Sequence, residues 1–310
     1  MSSFTFRPAT RTNVSLLIGL IGSSGSGKTY TAMRLASGMA GSKRFCVIDT
    51  ESGRASHYAD QFAFDVGELH APFRPNAYSD AIQAADAAGY GVIVVDSMSH
   101  EYAGDGGILD MQEEEFVRMG SRESSKVASW IKPKGEHKRM MQKLLQVRAH
   151  LILCFRAEQK IEMIREDGKM KIVPKQSLTG LDGWIPITEK SVPFELTASF
   201  LLTPDRPGMP HPIKLQEQHR ELFPLDQPIS EESGQRVADW AAGGVVKRHE
   251  WRQKHMLDMS WCKTLPELEK AFKAAQADAK ERQDGEALAM FVAEKDRQKS
   301  VIQDSSKEKL

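Results

Sequence analysis

Only three cysteines occur in 310 residues, and Cys46, Cys154 and Cys262 stand far apart. That spacing excludes a disulfide framework and any cysteine-based metal cluster, and it suits a reducing cytoplasm. Charge of one sign is not in excess either: Lys+Arg and Asp+Glu both total 42, so the net charge is zero. A generally basic nucleic-acid coat is excluded, and any such surface has to be a local patch. No apolar run approaches the roughly 20 residues of a membrane span, and the first residues lack the apolar region of a signal peptide. The expectation is a protein without a membrane partner. No segment repeats, and the length suits one full α/β domain with an appendage.

Against these absences stands one motif, Gly22-Ser23-Ser24-Gly25-Ser26-Gly27-Lys28-Thr29. It fits the phosphate-binding loop pattern G-x-x-x-x-G-K-[ST] at every fixed position. The apolar run Leu16-Leu17-Ile18-Gly19-Leu20-Ile21 before it reads as a buried strand. Ala32, Leu35, Ala36 and Met39 after it share one face of a helix. Glycines let backbone N–H groups turn inward around phosphate oxygens, and a helix N-terminus adds positive potential. Lys28 then reaches the β- and γ-phosphates and the Thr29 hydroxyl binds Mg²⁺, which makes ATP and Mg²⁺ the expected cofactors. Tyr30 follows directly and is counted with the nucleotide-contacting residues.

Two further strands end in acids. Phe45-Cys46-Val47-Ile48 runs into Asp49-Thr50-Glu51, and Val92-Ile93-Val94-Val95 into Asp96-Ser97. Acids at the carboxyl edge of strands beside a phosphate loop face the nucleotide. Asp96 is in Walker B position to hold Mg²⁺ through water, and Glu51 is a candidate to orient or deprotonate the attacking water.

Residues 57–76 read as a loop rich in proline and aromatics, followed by a short helix capped by Ser79 and closed by Gly89. Residues 98–135 read as irregular, with Trp130-Ile131-Lys132-Pro133-Lys134 as a mixed basic and aromatic stretch able to bind a single strand. Residues 136–148 read as a helix leading into the strand His150-Leu151-Ile152-Leu153-Cys154-Phe155, with Arg156 and Glu158 at its edge, where a γ-phosphate sensor belongs. Asp167-Gly168 separates two short strands as a hairpin turn. Residues 204–212 read as a proline-rich loop. After Gly243-Gly244 a capping box, Thr264-Leu265-Pro266-Glu267, opens a small helical hairpin, and residues 296–310 read as a frayed charged tail. The expected domains are an N-terminal arm (1–13), an ATPase domain (14–243) and a helical C-terminal region (244–310).

The alternation of strands and helices, with an acid after the second strand as well as the third, resembles the RecA-like branch of P-loop ATPases. The implied fold class is α/β: a mostly parallel central sheet flanked by helices, with a small helical appendage. The resemblance covers residues 14 to about 225. It implies that Glu51 activates water and that Tyr58, seven residues on, stacks on adenine. It also implies that a lysine of the stretch Lys169-Met170-Lys171-Ile172-Val173-Pro174-Lys175, with Lys175 ahead of Lys171, reaches a neighbour's γ-phosphate. By arrangement the chain is most similar to phage-encoded minimal RecA-like ATPases grouped with single-strand annealing proteins. Such relatives imply single-stranded DNA binding, self-association into a ring or filament, and location in the host cytoplasm. A single-strand-binding protein at the C-terminal tail is a further candidate partner. Arg156 replaces the glutamine of the RecA switch position, and Phe6-Arg7-Pro8-Ala9 fits a short recombinase docking motif.

Two functions fit these residues. One is a DNA-stimulated ATPase of recombination or annealing, with Lys28, Glu51, Arg156 and Lys175 as the catalytic set. The other is a nucleotide-gated assembly or partner-binding module with slow turnover. A small-molecule kinase is less consistent, because no arginine-rich lid is present.

Overall fold

The apolar runs of the sequence become the strands of one sheet. The computed structural model describes residues 14–166, 169–174, 183–243, 245–281 and 284–307. Residues Asn13–Ala241 form one compact unit, and residues from Ala242 onward belong to a second. In chain order the first unit holds β1 (Leu17–Gly22), α1 (Lys28–Ala40), β2 (Phe45–Asp49), β3 (Phe64–Glu68), α2 (Pro75–Ala87) and β4 (Val92–Asp96). There follow α3 (Ser99–Ala103), α4 (Ile108–Arg118), α5 (Ile131–Leu144), β5 (His150–Gln159), β6 (Ile161–Glu166), β7 (Lys169–Pro174) and β8 (Trp184–Pro186). The unit closes with α6 (Val192–Glu195), β9 (Ala198–Thr203), β10 (Arg206–Lys214) and α7 (Glu231–Ala242).

The sheet order is β10-β9-β1-β5-β4-β2-β3, with β8 paired to the far end of β5. All neighbours from β3 to β9 run parallel, while β10 and β8 are antiparallel additions. Successive side chains of a strand point to opposite faces, so each parallel strand feeds two cores. Ile18 joins Leu16, Leu20, Phe45, Val47, Val92 and Val94 beneath α1 and α7. Leu17, Ile21, Cys46, Ile48, Ile93 and Val95 face the other way, onto α2 and α5. The result is the expected three-layer α/β fold of a P-loop NTPase.

Helices α1 and α7 cross with their backbones nearly touching. A Cβ on Gly38 would overlap the Glu231 carbonyl, and one on Gly234 would overlap the Leu35 carbonyl. Arg34 forks onto the Glu231 carboxylate at 2.6–2.9 Å beside that crossing.

Several local expectations are corrected. The segment read as a loop contains the edge strand β3, of which only Phe64 is buried. Ser79 is not a cap: α2 starts at Pro75, and the Ser79 hydroxyl donates to the Asn76 carbonyl within the helix at 2.9 Å. The supposedly irregular stretch holds α3, α4 and the start of α5, whose Pro133 sits in the first turn, where no N–H is required. The proline-rich stretch after residue 204 is β10, an edge strand, the sheet position that tolerates proline.

Among the described residues, the second unit contains α8 (Val245–Ser260), α9 (Leu265–Glu281) and α10 (Gly285–Lys307), three helices rather than a hairpin with a frayed tail. Met259, Leu268, Ala275, Ala279, Ala287 and Phe291 form its core, and Arg252 pairs with Asp284 at 2.6 Å inside it. The capping box is present: Thr264 N–H donates to Glu267 Oε2 at 3.2 Å, and Glu267 N–H to Thr264 Oγ1 at 3.5 Å. No helix among the described residues is long and apolar enough to cross a membrane.

Candidate nucleotide site

Strand register lines up the chemistry. Gly22 at the end of β1 lies opposite Arg156 of β5, and Asp96 of β4 lies opposite both Asp49 of β2 and Cys154 of β5. The carboxyl ends of a parallel sheet are where α/β proteins bind ligands. A cleft of about 640 Å³ opens there, lined among others by Ser23, Ser24, Lys28, Thr29, Tyr30, Glu51, Tyr58, Asp96 and Arg156.

The loop between β1 and α1 is shaped by its glycines. Gly25 and Gly27 adopt φ of 78° and 82°, the left-handed region that favours glycine. Gly27 thereby ends the loop and starts α1, which has no side-chain cap. The N–H groups of Lys28, Thr29 and Tyr30 thus have no intrahelical acceptor, and the helix end presents them to an anion. Lys28 Nζ donates to the Ser23 carbonyl at 2.8 Å, which holds the ammonium over the loop. Burial pushes its pKa down, opposed by the nearby acids Asp96 and Glu51. Behind the loop, Gly208 N–H donates to the Ser26 carbonyl at 3.2 Å, and Ile229 N–H donates to the Gly208 carbonyl at 3.1 Å. Two segments far along the chain thus brace the cradle.

Thr29 Oγ1 donates to Asp96 Oδ2 at 2.5 Å. Burial pushes the Asp96 carboxyl up, while the Thr29 hydrogen bond and Lys28 pull it down. A hydroxyl and a carboxylate side by side are hard oxygen donors. Mg²⁺ uses one or two such groups and completes its octahedron with waters and phosphate oxygens. Among the described residues no group of three or more His, Cys, Asp or Glu could hold a metal by itself. The pair fits a metal delivered with a nucleotide rather than a resident ion.

Glu51 sits across the cleft. Its backbone N–H donates to Asp49 Oδ1 at 2.5 Å, and Asp49 Oδ2 accepts from Ala55 N–H at 2.9 Å, so Asp49 shapes the turn instead of facing the cleft. The Glu51 carboxylate accepts from Arg156 and from Arg54. Thr50 between them bonds into the turn after β4: Ser97 N–H donates to Thr50 Oγ1 at 2.8 Å, and His100 Nδ1 lies 2.8 Å from the same oxygen. Ser99 Oγ accepts the Arg156 N–H at 2.9 Å. Helix α3 therefore grips the Glu51 turn with His100 and the Arg156 strand with Ser99. With its next residue, Glu101, it bonds His137 of α5 at 2.9 Å.

Tyr30 and Tyr58 stand 5.8 Å apart at the rim, and Phe62 lies 5.6 Å from Tyr30. These rings form an aromatic flank to the phosphate loop. Cys154 is fully buried behind the site, and burial raises its thiol well above the usual range, so it is inert. Lys175 lies outside the described residues, as do the Asp167-Gly168 turn and the 6–9 motif.

The structure thus brings Ser23, Ser24, Gly25, Gly27, Lys28, Thr29, Tyr30, Glu51, Tyr58, Asp96 and Arg156 to one cleft, with Gly22 and Ser26 buried behind the loop. Two participants escaped the sequence reading. Arg54 has no motif around it, and its partner Glu51 lies on its own turn. Gly208 reaches the loop only through the hairpin of β9 and β10.

A glycine-shaped anion cradle, a lysine over it and a Thr–Asp pair beside it define a P-loop nucleotide-binding domain. Residues 15–185 match the family model described as an AAA domain, and the chain belongs to that family. Membership indicates ATP binding and hydrolysis. The matched stretch ends within β8, so β9, β10 and α7 complete the sheet from outside it. No curated protein matches the chain.

Proposed function

We propose that this protein is a Mg²⁺-dependent, RecA-like ATPase of the phage type that acts on single-stranded DNA in recombination or annealing. The observation that carries the hydrolytic part is the cleft in which Lys28, Thr29, Asp96, Glu51 and Arg156 meet. Bound Mg²⁺ would neutralise phosphate charge, held through Thr29 and Asp96. Lys28 and the loop N–H groups position the phosphates. A water oxygen bonds to the γ-phosphorus as the bridging P–O bond breaks, and that electron pair leaves with ADP. Glu51 orients the water and takes its proton. Tyr58 and Tyr30 flank the base. Lys175 completes the site of a neighbouring copy in a ring or filament.

The DNA part is supported by the first half of α5 and the residues just before it. Val127 and Ile131 are 84% and 73% exposed, and Lys134 lies 5.8 Å over the Trp130 ring. Lys132 and Lys134 pair with Glu115 and Glu189, which leaves Lys138 and Arg139 as the better candidates for phosphate contacts. A nucleotide-gated partner module is the second reading. It is favoured by Trp261, 79% exposed beside Cys262 and Val301 in the helical unit. A single-strand-binding protein at the C-terminal tail is the proposed partner.

The deciding experiment is ATP hydrolysis with and without single-stranded DNA, at several protein concentrations, with Glu51→Gln as control. A cooperative, DNA-stimulated rate abolished by the substitution supports the first reading. A slow rate indifferent to DNA, with intact nucleotide binding, moves the assignment to the second.

A further inference from the structure

Glu51 is the proposed base, yet both of its oxygens are engaged by arginines. Oε1 accepts from Arg156 Nε at 2.9 Å and from Nη2 at 2.6 Å, and Oε2 accepts from Arg54 Nη1 at 3.1 Å. Arg156 thus takes both lone pairs of Oε1, and Arg54 takes one of the two on Oε2, so Oε1 has none left to accept from water. The Glu51 side chain is 12% exposed and that of Arg156 is 44% exposed. Arg156 is pinned at its backbone by Ser99 Oγ and by its register with Gly22, so only its side chain is able to swing. That side chain lines the same cleft as Ser23, Lys28 and Thr29.

We propose that Glu51 and the γ-phosphate compete for Arg156, which makes Arg156 the residue that distinguishes ATP from ADP and the switch that frees the base. The inference rests on the reading of this cleft as an ATP site. A terminal phosphoryl group offers three charged oxygens to a planar guanidinium, against one carboxylate. When the γ-phosphate takes the Arg156 fork, Oε1 of Glu51 is released towards water. When the γ-phosphate is gone, the fork returns to Glu51 and the base is covered again. ADP, which ends one phosphate short, leaves the pair closed. Arg54 stays on Oε2 throughout and holds the carboxylate in place. The residue that reads the γ-phosphate thereby also keeps the base covered until that phosphate is in place.

The test is a binding cycle, independent of turnover. Affinities of a fluorescent ADP and of a non-hydrolysable ATP analogue are measured with Mg²⁺ for wild type, Glu51→Gln, Arg156→Ala and the double variant. Glu51→Gln removes the competitor and is expected to tighten the ATP analogue about tenfold, equal to about 1.4 kcal/mol. ADP affinity stays within about twofold, since ADP ends short of Arg156. Arg156→Ala weakens the analogue and not ADP, and in that background Glu51→Gln gives no further gain. A gain that persists without Arg156 would show simple charge repulsion by Glu51 and overturn the proposal, as would equal tightening of ADP. Arg156→Lys, which keeps the charge without the fork, is expected to bind the analogue more weakly than wild type. Thermal melting of each variant reports whether it is folded. Loss of both nucleotides from folded wild type would instead remove the ATP reading itself.

Discussion

His137 Nδ1 lies 2.9 Å from Glu101 Oε1, and both side chains are almost wholly shielded from water, at 5% and 1% exposure. The pair fastens α5 to α3, the same short helix that grips the Thr50 turn and the Arg156 strand. Breaking a buried pair strands a polar group in a low-dielectric interior. Glu101→Ala is therefore expected to lower stability by about 3–5 kcal/mol, read from the urea midpoint at unchanged slope. Glu101→Gln, which keeps an acceptor for the imidazole, is expected to lose far less. Equal losses in the two variants would mean that the carboxylate charge, and not the volume or the acceptor that Gln retains, carries the contribution.

The α1–α7 crossing leaves no room for a methyl group. Gly38→Ala would drive its Cβ into the Glu231 carbonyl, a backbone atom that cannot turn aside. Overpacking of this kind typically costs about 1–3 kcal/mol or more. The same holds for Gly234→Ala against Leu35. Gly41→Ala, with open space around it, serves as a control for strain alone, since Gly41 has φ of 61°. Calorimetric melting of the three variants separates the two causes.

Leu16 N–H donates to His150 Nδ1 at 3.1 Å, so this nitrogen must carry no proton. Burial lowers the His150 pKa in the fold. In the unfolded chain the imidazole takes up a proton near its ordinary value of 6.5, while in the fold it stays neutral to lower pH. The unfolded state then binds more protons, and stability falls as pH drops below that value. The contribution is fully present above it. His150→Asn offers a neutral acceptor, and the urea midpoint of that variant is expected to change less between about pH 7 and about pH 5 than that of wild type.

Thr29 and Asp96 share a short hydrogen bond that a metal would have to replace. Asp96→Asn and Thr29→Ala are each expected to slow ATP hydrolysis by about a hundredfold or more, the scale of losing one preorganised electrostatic group. Nucleotide binding measured in EDTA is expected to stay near the wild-type value. If both variants hydrolyse ATP normally with Mg²⁺, the metal is held elsewhere.

Much of the site was legible because it is local. Eight consecutive residues specify the phosphate loop, and Asp96 ends a β-branched run that has no other use for an acid. Other elements left no such trace. β3 is an edge strand with one buried side chain, so no alternation marks it. β10 carries Pro207, Pro210 and Pro212, residues that argue against a central strand and fit an edge. α10 runs past its last apolar stretch because Glu294 and Gln298, though polar, are buried, and the Gln298 amide donates to the Ser260 and Cys262 carbonyls. The Arg156–Glu51 bond joins residues 105 apart in sequence, and no spacing rule announces such a partner.

The brace from Gly208 to Ser26 sets an order on biogenesis. The phosphate loop emerges from the ribosome early, but the strands that flank β1 are β5 and β9, and the hydrogen bond that backs the loop comes from residue 208. A nascent chain shorter than that carries the full motif and no finished cradle. Since domains fold as units, nucleotide capture is a late event in synthesis, and the motif stays unarmed while most of the protein is still being made.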